Sequence, residues 1–171
     1  VNMVSSVALA MVLAFEPTER EVMRRPPRPP GEPVISGFLV WRILLVSLLF
    51  LAGIFGMFEL ALLRGASVEE ARTVAVNTLV AMEVFYLFSV RYLRAPSFTF
   101  EGVKGTKPVL IAVFAVFGLQ LLFTYAPFME TFFHSRPLSF ATGLQIVAVG
   151  DVLLEIDWQG AGQVRKLMPD S

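Results

Sequence analysis

The clearest pattern along the chain is a series of long apolar segments separated by short polar ones. Each apolar segment carries at most two charged side chains. A run of about 18 or more apolar residues is long enough to cross a bilayer as a helix, and the period-two alternation of outer-membrane barrel strands is absent here. The pattern predicts an all-α, polytopic membrane helix bundle of about five transmembrane helices, with spans at residues 1–15, 38–63, 73–90, 108–129 and 138–156.

Composition agrees with this prediction. The 171 residues are 56% hydrophobic and 16% charged, with a mean hydropathy of +0.69, whereas soluble domains carry about 25% charged residues. The formal net charge is zero, so no basic excess favours nucleic acid as a partner. There is no cysteine, which excludes disulfides, thiolate metal sites and cysteine catalysis.

The first apolar segment is shorter than a membrane span. At about 1.5 Å per residue it reaches about 22 Å, against a hydrocarbon core of about 30 Å. No basic region precedes it, as a secretory signal would require, although Ala8-Leu9-Ala10 is compatible with a cleavage site. We expect a truncated first helix, and hence a chain that is a piece of a longer protein.

Basic residues are distributed unequally between the two sides of the predicted bundle. Ten of them fall on one side, in the loop at 16–34, in the loop after the third span and in the tail at 157–171. The other two loops hold three. The positive-inside rule therefore predicts that the first side is cytoplasmic and that the carboxy terminus lies there. Arg42, beside Trp41, is expected to extend to the cytoplasmic interface.

The predicted cytoplasmic loop at 16–34 is rich in proline and arginine. Proline at this density disfavours helix and favours an extended polyproline conformation. The loop is either a stiff connection of fixed length between two helices or a proline-rich ligand for a partner domain.

Three polar side chains share one face of the first segment. Asn2, Ser5 and Ser6 stand at i, i+3 and i+4, and their amide and hydroxyl oxygens are donors suited to hard cations. The alternative is that they form hydrogen bonds between helices, as Ser and Asn often do in membrane bundles.

Glu83 is the most informative single residue for function, because it is a charged side chain near the middle of the third predicted span. A carboxyl group at membrane depth is costly, so it is expected to face the bundle as a cation ligand or a proton carrier. The alternative is a protonated, purely structural glutamic acid. Asn77 lies about 120° away around the same helix, which does not favour it as a co-ligand.

Asp151 and Glu155 form a second candidate pair, spaced i, i+4 near the end of the last span. They could bind a cation or carry protons, or they could form a solvated edge at the interface. Gln120 and Gln145 are interpreted as packing residues that form hydrogen bonds between helices. His134 lies in a loop without a second ligand, which argues against a zinc site.

The residues in order resemble a known family. The run Val1-Asn2-Met3-Val4-Ser5-Ser6-Val7-Ala8-Leu9-Ala10-Met11-Val12-Leu13-Ala14-Phe15-Glu16-Pro17 resembles the sixth transmembrane helix of P-type cation-transporting ATPases of the calcium-pump-like class. Val22-Met23-Arg24-Arg25-Pro26-Pro27-Arg28-Pro29 is similar to the loop that follows that helix. The four remaining spans match the last four helices of the family in number, order and orientation.

The resemblance implies a site and a parent protein. Asn2, Ser5 and Glu83 fall on cation-liganding positions, and Ser6 stands where calcium pumps have an aspartate. The transported cation is then calcium, another divalent ion or a monovalent one. ATP and Mg²⁺ are expected cofactors of the parent, whose phosphorylated aspartate and nucleotide pocket precede this chain.

The expected partners are the lipid bilayer and the preceding helices and cytoplasmic domains of the same parent chain, in the cell membrane. The sequence contains no Gly-Lys-Ser/Thr phosphate loop, no Gly-x-Ser-x-Gly elbow and no His-Glu-x-x-His motif. We therefore expect this piece alone to have no ATPase activity. The competing hypothesis is a non-enzymatic membrane scaffold or a channel-like module.

Overall fold

The computed structural model describes residues 2–15, 35–90 and 106–167, excluding the side chains of residues 2, 157, 158 and 161–167. The proline- and arginine-rich loop predicted at 16–34 lies outside the described residues. So do residues 91–105 and the last four residues of the predicted tail.

The described residues form six helices and no strand. The helices are α1 (Asn2–Leu13), α2 (Gly37–Leu63), α3 (Val68–Val90), α4 (Lys107–Tyr125), α5 (Pro127–Phe133) and α6 (Phe140–Leu167). Among them, α2, α3 and α4 are long and apolar enough to cross a membrane. The prediction of an all-α membrane helix bundle is confirmed. The predicted first and fifth spans correspond to α1, an apolar helix of 12 residues, and α6, a helix of 28 residues.

A tight connection of four residues joins α2 to α3. Gly65 adopts a left-handed conformation with φ of 85°, which glycine reaches without a Cβ clash. Its N–H donates to the carbonyl of Leu62, and the N–H of Ala66 donates to the carbonyl of Ala61, so the last carbonyls of α2 are satisfied. Ser67 then caps α3 by accepting a hydrogen bond from the N–H of Glu70 at 3.1 Å. The two helices are consequently antiparallel neighbours.

The fourth predicted span, 108–129, is broken in the structure. Helix α4 ends at Tyr125, and Ala126 is extended, with φ of −77° and ψ of 129°. The cause is Pro127, whose ring disfavours helical geometry in the preceding residue and which has no N–H to donate. It begins the separate short helix α5 instead. The last helix also departs from prediction, because α6 continues to Leu167, through most of the tail expected at 157–171.

Helix α3 is the centre of the bundle and packs against α1, α2, α4 and α6. Two buried clusters lie on it. The first joins α1, α3 and α4, and its buried members are Leu9, Val12, Val80, Leu87, Val109 and Val116. The second joins α2, α3 and α6, and its buried members are Met57, Val74, Leu138 and Ile146. The candidate site is carried by this central helix.

Glycines allow α6 to approach its neighbours closely. A Cβ atom built on Gly150 would lie 2.4 Å from the Phe85 ring of α3, and one on Gly160 would lie 2.7 Å from the ring of Trp41 in α2. Small residues permit this kind of close packing between membrane helices. The α3–α6 contact therefore has no room for a methyl group at position 150.

Gly150→Ala is expected to lower the stability of the bundle by about 1–3 kcal/mol, because the Phe85 ring must leave its position. Thermal unfolding of the full-length protein in detergent measures this effect. Gly143→Ala in the same helix is the matched control, since nothing lies within 4 Å of its built Cβ. Equal melting temperatures for the two variants would contradict the close contact.

Candidate cation site between the first and third helices

Glu83 lies in the apolar part of α3. The other charged residues of that helix are in its first turns: Glu69, Glu70 and Arg72. Glu83 is about 22 Å along the helix axis from Val68 and about 10 Å from Val90. Its side chain is partly buried. A carboxyl group at such a depth needs a partner, because its hydrogen-bonding capacity is not satisfied by hydrocarbon.

Two consecutive serines of α1 supply that partner. The Ser5 hydroxyl donates to Oε2 of Glu83 at 2.6 Å, and the Ser6 hydroxyl donates to Oε1 at 2.5 Å. Both carboxylate oxygens are therefore hydrogen-bonded to the same helix, across a separation of 78 and 77 residues in the chain. The structure thus brings together three of the four residues that the sequence singled out.

The arrangement presents four oxygens to a small volume. A serine hydroxyl can rotate, donating to the carboxylate in one orientation and presenting a lone pair to a cation in another. Carboxylate and hydroxyl oxygens are ligands that hard cations prefer. Asn2, the fourth predicted ligand, is the first residue of α1, and its side chain lies outside the described residues.

One side of this cluster faces away from the described bundle. Ser5 is 4% exposed, whereas Ser6 lies on the exposed edge of α1. The same helix exposes Met3 by 77% and Met11 by 61%. The serines and Glu83 thus line the boundary between the packed interior and an open apolar surface.

The second candidate pair is not part of this cluster. Asp151 and Glu155 are both exposed on α6, which packs on α3 and α2 and not on α1 to any large extent. Among the described residues, no group of three or more His, Cys, Asp or Glu side chains could hold a metal ion. A metal centre built from acidic side chains alone is therefore not found in the described part of the chain.

A family comparison identifies the chain as a whole. Residues 1–158 match the family model described as "Cation transporting ATPase, C-terminus". The chain belongs to this family. It is the carboxy-terminal membrane part of a P-type cation-transporting ATPase, as the sequence predicted.

Individual relatives carry related names. The chain is 39% identical over 153 residues to "Probable cation-transporting ATPase F" of Mycobacterium tuberculosis, a match that covers 90% of this chain and 17% of the relative. It is 34% identical to "Cation-transporting ATPase pma1" of Synechocystis, covering 80% and 16%. It is 28% identical to mouse "Calcium-transporting ATPase type 2C member 2", covering 81% and 15%. The chain thus spans about one sixth of these relatives.

Other polar residues of this ATPase carboxy terminus form contacts between helices. Asn77 of α3 bonds through its amide nitrogen to the Thr124 hydroxyl of α4 at 3.0 Å. Gln145 of α6 accepts a hydrogen bond from Arg64 at 2.6 Å. Gln120 differs from its interpretation as a residue that forms hydrogen bonds between helices: its amide is buried, and neither of its polar atoms has a hydrogen-bond partner among the described residues.

Arg42 is buried within the described bundle. It is 5% exposed, and its expected extension to the cytoplasmic interface stays a prediction. Its guanidinium donates to the hydroxyl of Ser89 at 3.0 Å and to the Ser89 carbonyl at 3.3 Å, and it lies 5.9 Å from the centroid of the Tyr86 ring. Sequence reasoning missed this contact because the partners are 47 residues away in the chain.

Thr124→Val is expected to destabilise the bundle by about 0.6–1.7 kcal/mol, the range measured for hydrogen bonds between membrane helices. The change removes the bond to Asn77 while conserving shape. Thermal unfolding in detergent measures it, with Thr131→Val as control, because the Thr131 hydroxyl bonds only within its own helix, to the carbonyl of Pro127. Equal destabilisation by the two variants would show that the hydrogen bond between Asn77 and Thr124 does not contribute to the stability of the bundle.

Proposed function

We propose that this chain contributes part of the cation-binding site of an ATP-driven pump, with Ser5, Ser6 and Glu83 as ligands and Asn2 adding its amide oxygen. The observation that carries the proposal is the pair of hydrogen bonds from adjacent serines of α1 to both oxygens of one carboxylate on α3. The names of the relatives, which describe cation and calcium transport, support it.

Each residue has a distinct role in binding. Glu83 provides the negative charge that offsets the charge of the cation. The serine hydroxyls rotate, so that their hydrogens turn away from the carboxylate and their lone pairs face the ion. A cation bound there replaces two hydrogen bonds by ligand bonds and keeps both oxygens of the carboxylate satisfied.

The packing of the bundle favours a site that can be opened by moving one helix. Helix α3 is held by α2, α4 and α6, whereas α1 makes its main contacts with α3 and α4 among the described helices. A displacement of α1 separates the serines and Asn2 from Glu83, and so removes three of the four proposed ligand residues. We infer that this separation releases the ion during transport and is driven by phosphorylation in a part of the parent outside this chain, with ATP and Mg²⁺ as its cofactors.

The open side of the cluster points to further ligands. Hard divalent cations take six to eight oxygens, and these three side chains offer four. The exposed apolar face of α1, with Met3 and Met11, is suited to helices of the parent chain that would complete the coordination. The surrounding lipid would be that of the cell membrane, with the carboxy terminus in the cytoplasm.

A scaffold or channel-like module is the competing function. In that case the bonds between Ser5, Ser6 and Glu83 would only hold α1 against α3. The two functions differ in what happens when the carboxylate is neutralised, because a scaffold loses stability alone and a pump loses its response to the ion.

Glu83→Gln in the full-length protein is expected to raise the cation concentration for half-maximal phosphorylation by about tenfold or more, since one ligand charge is lost. The measurement is the level of acid-stable phosphoenzyme formed from labelled ATP, titrated with a panel of cations. Gln retains the size of the side chain; its amide oxygen can accept a hydrogen bond from one serine and its amide nitrogen can donate to the other.

Glu59→Gln is the matched control, because Glu59 is an exposed carboxylate of α2 and lies outside the cluster. It should leave the ion dependence unchanged. An unchanged ion dependence in Glu83→Gln, accompanied only by a lower melting temperature, would support the scaffold and overturn the site.

Ser6→Asp tests how the charge of the site selects the ion. A second carboxylate beside Glu83 repels it unless a cation of higher charge lies between them. We expect the half-maximal concentration of a divalent cation to fall by about tenfold relative to that of a monovalent one, because affinity for divalent ions rises with the number of charged ligands. Ser6→Asn, which is neutral, should not change this ratio; a shift of the same size with Asn would contradict a role of charge.

A further inference from the structure

A groove between α3 and α2 combines an apolar floor with a charged end. It has a volume of about 500 Å³ and is lined mainly by α2 and α3, with Phe123 of α4 and Phe133 of α5 also in its wall. Its apolar lining includes Ile54, Phe55 and Phe58 from α2 and Val76 from α3. Its polar lining is confined to Glu69, Arg72, Thr73 and His134.

Position along the helices separates the two kinds of lining. Glu69 and Arg72 are in the first turns of α3, whereas Val76 lies about 10 Å further along the axis than Glu69. On α2 the apolar residues precede the end of the helix at Leu63 by one to three turns. The charged end of the groove therefore coincides with the ends of two membrane-spanning helices, and the apolar part is directed towards the interior of the bilayer.

The polar end carries both signs of charge. Glu69 and Arg72 are spaced i, i+3 on one face of α3, and the Arg72 side chain is exposed. His134 adds a ring nitrogen from the loop after α5, where it holds a left-handed backbone conformation with φ of 53°. Thr73 is already engaged, since its hydroxyl accepts a hydrogen bond from the N–H of Arg136 at 3.0 Å.

We propose that this groove binds a zwitterionic phospholipid, phosphatidylethanolamine, from the leaflet at that end of the helices. The phosphate is bound by Arg72, whose planar guanidinium matches phosphate geometry, with His134 as a second donor. The ammonium group is bound by the carboxylate of Glu69. The first part of an acyl chain lies along Ile54, Phe55 and Phe58.

Charge complementarity is the reason for choosing this occupant. A transmembrane helix would fill the apolar floor but would bring no complementary charges to Arg72 and Glu69, which attract each other. An anionic lipid would satisfy Arg72 and be repelled by Glu69. A zwitterionic headgroup satisfies both, because its phosphate and ammonium groups are adjacent and of opposite charge.

The test is lipid binding to the delipidated full-length protein, measured by native mass spectrometry with phosphatidylethanolamine and phosphatidylglycerol. Arg72→Gln is expected to weaken phosphatidylethanolamine binding by about tenfold, the loss of a charge-assisted phosphate contact. Ile54→Trp should weaken it as well by filling the apolar part of the groove. Arg64→Gln is the matched control, since Arg64 lies at the same end of α2 but lines a different pocket, and it should leave binding within about twofold of the wild type.

A photoreactive phosphatidylethanolamine with a diazirine on its acyl chain provides an independent readout. We expect it to label the peptide containing residues 54–58, and less so in Arg72→Gln. Equal binding by the wild type, Arg72→Gln and Arg64→Gln would identify unspecific boundary lipid and overturn the proposal. Phosphatidylglycerol binding as tight as phosphatidylethanolamine, or labelling confined to other helices of the parent, would overturn it too.

Discussion

The arrangement of this membrane domain depends on one constraint, which is that the Glu83 carboxyl group must find hydrogen-bond partners where water is scarce. Its two oxygens are bonded to Ser5 and Ser6, and these bonds hold α1 in register on α3. An unsatisfied polar group at such a depth costs several kcal/mol. The same requirement is compatible with the proposed cation site, because an ion there would replace the hydroxyl hydrogens without leaving the carboxylate unpaired.

The two sides of α3 differ in how firmly they are packed. Towards α6, Phe85 fits against Gly150 so closely that a methyl group would not be accommodated. Towards α1, the contact consists of an apolar cluster and the polar bonds to Glu83. This difference fits the proposed transport site, in which the carboxylate would stay in place on α3 while α1 moves.

Other polar side chains within the bundle are used for cohesion. Arg42 is bonded to Ser89, and Asn77 is bonded to Thr124, so each links two helices through partners that are themselves buried or partly buried. Such bonds specify which faces meet, because a shift of one helical turn would leave the groups unpaired. Among the described residues, these two pairs hold helices together, whereas Glu83 is bonded to the serines of α1.

The sequence by itself determined the class of the protein, its helical character, its family and the residues of the candidate cluster. Apolar segments of membrane length, a lone carboxylate within one of them and two serines on one helical face are local patterns, and their meaning does not depend on distant parts of the chain. Some boundaries followed from local chemistry as well: Pro127 ends α4, although the apolar pattern alone extended the span to residue 129. The tertiary structure decided which groups meet. That Arg42 is buried against Ser89, that Asn77 turns to Thr124, and that Asp151 and Glu155 remain exposed all depend on how helices distant in the chain pack together, which residue spacing along a single helix does not encode.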